Sequence, residues 1–320
     1  MANEEWYNRF IDTLYQRYPQ KKKLVAALMD LLLIEREAVY RRLRGDIAFT
    51  MHEVGRISSA WSISLDCIIG ISSEQIPFLM RPFNYIAPSE QDLKSLRHII
   101  QSINSLKNFP ETELMNICNK LPRQLLAGFN YLNQFYLFKW NYEYGKEKKD
   151  VPFSQIIISE EKRRLTADYD KAIKNVPKTN FLFDRLLFEN LANEILFFHS
   201  IQMITDEEKT LIKNDLYSFL DYLFDVASNG CYPETKNKVK LYVSRLNINT
   251  NYSYTHNDQM SICFINVFDK FEIYTYEAEM VVNFKKWMQL KKRSSIQISE
   301  IDKKSTVEFF SKQRQIVDTL

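Results

Sequence analysis

Apolar residues in the first part of the chain recur with a helical period. They lie three to four positions apart up to Pro19, and again through LVAALMDLL and through EREAVYRRLR, which stops at Gly45. Thr50 and Glu53 have the spacing of a capping box, which predicts that a fourth helix begins there. LDCIIG predicts a short fifth helix. Residues 1–72 are therefore predicted to form a compact bundle of five helices.

The rest of the chain divides into a connector and a larger domain. Residues 73–88 contain three prolines and are predicted to connect the bundle to the larger domain. From Ser89 to Gly230 the pattern predicts helices almost throughout, in DLKSLRHIIQSINSL, RQLLAGFNYLNQFYLFKWNYEY, NFLFDRLLFENLANEILFFHS and DEEKTLIKNDLYSFLDYLFDVA. Several of these segments are apolar around most of their circumference, which is typical of helices at the centre of a bundle.

After Gly230 the pattern changes to that of strands. VKLYVSRLNI, MSICFINVF and KFEIYTY are rich in β-branched and aromatic residues, with turn residues between them, and SSIQIS is a candidate further strand. They predict a small antiparallel sheet near the C-terminus, followed by a last helix in KKSTVEFFSKQRQIVDTL. The predicted fold class is mainly α, and α+β overall. Residues 89–320 form one large helical α+β domain in this prediction.

Charge is concentrated in the N-terminal bundle. The chain has 43 basic and 40 acidic side chains, a net charge of +3. Between Lys21 and Arg56 there are eight basic and five acidic residues, and eight minus five gives the same +3. The remainder of the chain is therefore neutral. Because nucleic-acid binding depends on where the charge lies, this distribution points to the bundle as the cationic part of the molecule.

Residue types that support catalysis or metal binding are scattered. The cysteines form no CxxC pair and the histidines no HExxH motif, and there is no glycine-rich phosphate loop or GxSxG motif. These residues are Cys67, Cys118, Cys231, Cys263, His52, His98, His199 and His256. We therefore expect reduced, mostly buried thiols, no metal site, no cofactor and no enzymatic activity.

The sequence also predicts where the protein resides. The N-terminus MANEEWYNRF lacks the basic flank and apolar run of a signal peptide. Charged or amide side chains interrupt every apolar stretch before it reaches the length that crosses a bilayer. A cytoplasmic protein without membrane contact is expected.

The segment 21–70 has the composition of a helix-turn-helix. In this motif an apolar frame fixes two helices at a steep angle, and the outer face of the second helix enters the major groove. The frame would consist of Val25, Leu28, Leu32, Ile34, Val39 and Leu43. The outer face of the second helix, about residues 35–44, carries Arg36, Glu37, Tyr40, Arg41 and Arg44. Arginine side chains donate hydrogen bonds to guanine edges and to phosphates, and a tyrosine hydroxyl can donate one to a phosphate. Lys22 and Lys23 are further candidates for neutralising phosphates.

The run LLLIEREAVYRRLRGDIAFTMHEVGRISSAWSISLDCIIG resembles the phage-repressor (Cro/C1-type) helix-turn-helix family of transcriptional regulators. The resemblance covers the N-terminal region only. It implies that the helix at about 35–44 is the recognition helix and that dimers bind operator half-sites. By position it places Arg36 and Glu37 at base contacts, Tyr40 and Arg41 one turn further, and Arg44 at the DNA backbone. The chain has Leu33 where the family has a turn glycine.

The sequence as a whole predicts a DNA-binding transcriptional regulator. Its expected partners are double-stranded DNA, a second copy of the chain in a homodimer, and an unknown small-molecule or protein effector sensed by residues 89–320. The alternative is a non-enzymatic protein–protein interaction protein whose helical bundle binds no DNA. In that case the basic face would bind an acidic protein. If the charged side of this helix is only a solvated surface, Glu37 and Arg41 are expected to form an ordinary i,i+4 ion pair.

Overall fold

The computed structural model describes residues 2–18, 20–61, 63–69, 76–81, 84, 86–145, 151–258, 260–268, 271–299 and 302–320. The chain is α+β overall, as predicted. It divides into two compact units, the first comprising Met1–Leu79 with Asp258–Ser261 and the second Met80–Asn257 with Ile262–Leu320.

In the first unit, helices lie where the apolar spacing predicts them. They are α1 (Ala2–Arg17), α2 (Lys21–Leu32), α3 (Arg36–Leu43), α4 (Met51–Trp61) and α5 (Leu65–Ile69). Each contributes apolar side chains to one core, which includes Phe10, Leu28, Val39, Ile57 and Ile68. Burial of this shared apolar face stabilises helices that are each too short to persist alone in water.

The predicted connector 73–88 is described only in part. Residues 73–75, 82, 83 and 85 lie outside the described residues, as does Gly70. Within this stretch, Leu79–Arg81 form a short strand, β1.

The second unit is built on a mixed sheet, in which the described residues form eight strands. They are β1, β2 (Glu113–Cys118), β3 (Lys178–Phe183), β4 (Lys238–Ser244), β5 (Tyr252–His256), β6 (Ser261–Val267), β7 (Phe271–Thr275) and β8 (Ser295–Ile298). Their order is β1-β7-β6-β5-β2-β3-β4-β8. β2, β3 and β4 are parallel, whereas β5 and β8 pair with this group in antiparallel orientation.

The sheet corrects the prediction of a small antiparallel sheet near the C-terminus. β2 and β3 come from the region predicted to be helical almost throughout. Five of the six residues in each of these strands are buried. A strand that is buried on both faces lacks the alternation of apolar and polar residues that marks a strand in a sequence.

Helices cover both faces of this sheet. They are α6 (Glu90–Ser105), α7 (Asn130–Tyr144), α8 (Glu160–Lys174), α9 (Leu187–Ser200), α10 (Asp206–Asn229), α11 (Ala278–Arg293) and α12 (Lys303–Asp318). Phe135, Phe198 and Phe219, from α7, α9 and α10, belong to the larger core on one face. Phe284 and Met288 of α11 pack on the other face. Among the described helices, none combines the length and apolar character that a bilayer crossing requires.

Candidate nucleic-acid interface

The turn between α2 and α3 has a backbone geometry that favours glycine. Leu33 ends α2 with φ 58° and ψ 44°, in the left-handed region, and its N–H donates to the Met29 carbonyl at 2.9 Å. Its side chain is 80% exposed. The left-handed conformation costs a non-glycine residue about 1–2 kcal/mol. The turn is therefore made by a residue that is strained there and gains little packing in return.

The apolar side chains of the predicted frame hold α3 against the bundle. Val39 and Leu43 of α3 are buried in the same core as three α2 residues, and Ile34 packs partly buried against that core. The α2 residues are Val25, Leu28 and Leu32. One side of α3 is thereby fixed, and its remaining circumference faces away from the core.

A half-buried ion pair joins α3 to the start of α4. Arg42 donates from Nε to Glu53 Oε2 at 3.0 Å and from Nη2 to Glu53 Oε1 at 2.8 Å. The two side chains are 15% and 12% exposed. Glu53 also accepts from the Thr50 N–H at 2.8 Å, while the Thr50 hydroxyl accepts from the Glu53 N–H at 3.2 Å. This reciprocal pair is the predicted capping box.

The protonation of Glu53 reflects these contacts. Its partial burial acts to raise the pKa of the carboxyl, but hydrogen bonds from Arg42 and the Thr50 backbone outweigh burial and hold the pKa below its ordinary value. The ionised form is therefore the one that the fold stabilises.

Tyr7 of α1 adds hydrogen bonds at the same junction of α3 and α4. Its hydroxyl donates to the Arg42 carbonyl at 3.2 Å and accepts from the Phe49 N–H at 3.0 Å. It thus ties the end of α3 to the segment that leads into α4, so that the orientation of α3 is set by polar contacts as well as by the core.

Four of the predicted contact residues of α3 share its outward side, whereas the ring of Tyr40 packs against the core of the bundle. Arg36, Glu37, Arg41 and Arg44 are exposed, while Tyr40 is half-buried, with the Lys21 ammonium 5.5 Å from its ring centre. Lys22 and Lys23 are exposed in the first turn of α2.

The arginines of this surface fall into two groups. Arg44 lies 3.2 Å from a Glu37 carboxylate oxygen and 2.9 Å from Asp46, and hydrogen bonds with Asp46 and then Glu37 raise the pKa of its guanidinium. The suggested pairing of Glu37 with Arg41 is therefore wrong, because Glu37 turns to Arg44. Arg36 and Arg41, by contrast, form no ion pair or side-chain hydrogen bond with any residue that the structure describes.

The chain matches no model of a known protein family, no curated protein and no solved structure. Its function is therefore inferred from the geometry of its own residues.

In the sequence, Arg42 is one of the residues of the basic excess, and no motif marks it or Tyr7 as a residue that positions α3. The capping-box glutamate Glu53 is a sequence signal from which the ion pair of Arg42 could be predicted, since a carboxylate at the start of a helix attracts a nearby arginine. Nothing in the local sequence links Tyr7 to Arg42, because they are 35 positions apart.

Other chemistry is sparse in the described residues. Among them, no group of three or more histidine, cysteine or acidic side chains is placed to hold a metal ion. Cys118 and Cys263 are buried free thiols, and burial raises the pKa of both. The side chain of Cys67 lies outside the described residues.

Proposed function

We propose that this protein is a DNA-binding transcriptional regulator that places α3 in the major groove as the second helix of a helix-turn-helix. The observation that carries the proposal is the exposure of Arg36 and Arg41 and their lack of a carboxylate partner among the described residues. Both lie on the outward side of a helix whose other side is anchored, and neither has a carboxylate partner among the described residues. Exposed arginines on an anchored helix suit guanine edges and phosphates.

The remaining basic residues fit supporting roles. Lys22 and Lys23, exposed at the start of α2, would neutralise phosphates beside the groove. Tyr40 would present its hydroxyl to a phosphate one turn after Arg36. Arg42 has a different role, because Glu53 neutralises it and it positions α3.

The proposal includes two copies of the chain. Dimerisation or effector sensing by the second unit would set the distance between two α3 helices, and one turn of B-DNA requires about 34 Å between half-sites. Two linked contacts bind more tightly than one because the second binding event is intramolecular.

Substitution of Arg36 and Arg41, which have no carboxylate partner among the described residues, tests the proposal. In fluorescence anisotropy with a labelled duplex at low salt, we expect Arg36→Ala and Arg41→Ala each to weaken binding by about tenfold. Each should also reduce the log–log salt slope by about one if it contacts a phosphate. A titration above the dissociation constant should give two chains per duplex.

Arg17→Ala is the matched control. Arg17 is an exposed arginine at the end of α1 and makes no ion pair within the described ranges. If removal of Arg17 weakens duplex binding as much as removal of Arg36 or Arg41, binding depends on overall charge and α3 is not the reading helix.

A further inference from the structure

One face of the sheet in the second unit carries a concentration of lysines. The strand register aligns Glu113 with Lys178 and Lys238 in one row across β2, β3 and β4, and Asn180 with Lys240 in a neighbouring row. Residues two apart along a strand, and residues paired across strands, point to the same face. Met115, Leu182 and Tyr242 continue these rows and pack against α11, so the lysines lie on the face that α11 partly covers.

Helix α11 brings two further lysines to this face. Lys285 places its Nζ 3.5 Å from Glu113 Oε2. Lys292, seven positions later and so on the same side of the helix, places its Nζ 5.0 Å from the ring centre of Tyr242. The two ammonium groups therefore lie beside the open rows of the sheet.

The local charges do not balance. Lys178 is neutralised by Glu111, at 2.7 Å. Beside the remaining lysines stands Glu113, which already accepts from the Asn180 amide at 3.1 Å, and the charge of Lys238 acts on Glu111, which Lys178 already neutralises. These lysines are Lys238, Lys240, Lys285 and Lys292. Lys238 and Lys240 form no ion pair with a described residue. Four ammonium groups against one carboxylate leave an excess of three positive charges.

The neighbouring charges also act on Lys292. Burial lowers the pKa of its ammonium, Glu113 opposes that effect, and the positive charges of Lys240 and Lys285 add to it. Like charges held together in a partly buried place repel one another, and a bound anion relieves the repulsion.

We propose that this lysine face, formed by Lys238, Lys240, Lys285 and Lys292 beside Asn180, binds a diphosphate group. Ammonium groups bind phosphate oxygens as point charges, and the Asn180 amide, which is 7% exposed, is fixed beside them. The cations lie on one strand, β4, and on the helix α11 that covers it, with Lys240 and Lys285 close enough to act on Lys292. This compact arrangement favours a compact polyanion over a nucleic-acid strand, whose phosphates are spread along its length. The diphosphate can belong to a nucleotide or be inorganic pyrophosphate.

Isothermal titration of the full chain with inorganic pyrophosphate, and separately with ADP, tests the proposal. We expect saturable binding of both at low ionic strength. Lys240→Gln and Lys292→Gln should each weaken binding by about fivefold or more, the effect of losing one close ion pair. Glu113→Gln should strengthen binding, because it removes the competing carboxylate and leaves an acceptor for Asn180. Circular dichroism melting verifies that each variant is folded.

Lys286→Gln is the control. Lys286 is exposed on the same helix, next to Lys285 in sequence but outside the lysine face, and its loss should leave the affinity unchanged. Equal affinities for pyrophosphate and ADP mean that only the diphosphate is recognised, whereas tighter ADP binding identifies a nucleotide site. Either result supports the proposal.

Three results would overturn it. The first is that neither compound shows saturable binding. The second is that Lys286→Gln and Lys240→Gln weaken the affinity for these compounds equally. The third is that Lys240→Gln loses duplex DNA binding while pyrophosphate does not bind. The proposal does not depend on DNA binding by α3, since Arg36→Ala should leave pyrophosphate affinity unaltered.

Discussion

Leu33 is one of four described non-glycine residues with a positive φ, and it lies in the turn that leads into α3. It occupies a left-handed turn with an exposed side chain, so Leu33→Gly should stabilise the protein. Relief of about 1–2 kcal/mol of backbone strain is offset by about 0.5–1 kcal/mol for the greater freedom of glycine in the unfolded chain. We expect a net gain of about 0.5–1 kcal/mol in the free energy of unfolding, measured by urea denaturation.

Leu33→Ala is the control for this prediction. Alanine keeps the Cβ that causes the strain, so it should bring no comparable gain. A glycine variant that is no more stable than the alanine variant would show that the turn is not strained.

Arg44 is a second residue with a specific prediction. Asp46 and Glu37 hold it on the outward side of α3, where it would otherwise be a third arginine for DNA. Asp46→Asn should therefore raise duplex affinity by about threefold, the size expected of an exposed ion pair, without a measurable change in stability. Competition anisotropy measures the change.

Two variants separate release of Arg44 from simple loss of negative charge. Glu35→Gln removes an exposed carboxylate beside α3 that forms no ion pair within the described ranges, and it should raise affinity less. In an Arg44→Ala background, Asp46→Asn should have little effect. If the gain persists in that background, Arg44 is not held back by Asp46.

Between elements, the contact of α3 with α4 depends on the charge of Glu53. Glu53→Gln keeps an acceptor for the Thr50 N–H but removes the charge that Arg42 meets, and it should cost about 1–3 kcal/mol of stability at neutral pH. Because the pKa of Glu53 is lowered in the fold, its stabilisation is complete above the ordinary value of 4.5 and is lost as the pH falls through the folded value.

The wild type and the Glu53→Gln variant should therefore converge in stability as the solution is acidified below that ordinary value. Urea denaturation, monitored through hydrogen exchange of peptides from α4, measures the difference in stability of the first unit between the two proteins. A constant difference between the two proteins at all pH values would show that the ionised Glu53 contributes nothing.

The helices of the first unit could be predicted from the sequence because their signals are local. The end of α3 was marked by Gly45, the start of α4 by Thr50 and Glu53, and the buried side of α3 by Val39 and Leu43. The pairing of charges could not be predicted. Glu37 reaches Arg44 rather than Arg41, a choice that depends on rotamers and on Asp46 in the following turn.

In the molecule as a whole, the unpredicted feature is the centre of the sheet. β2 and β3 pair in parallel although about 65 positions separate them, for example Leu114 from Thr179. Such pairing requires helical crossovers and leaves no local signature, and strands buried on both faces resemble buried helices. The lysine face was missed for the same reason, since the register that aligns Lys238 and Lys240 with Glu113 and Asn180 results from this topology.

The salt dependence of DNA binding tests the central claim most directly. Anisotropy of a labelled random duplex, titrated with the full chain at several salt concentrations, gives the slope of log K against log salt. Contacts from Lys22, Lys23, Arg36 and Arg41 predict binding at low salt and a slope of about −4 per bound chain. Absence of binding at low salt, or an affinity that salt does not change, would contradict a DNA-binding role for α3.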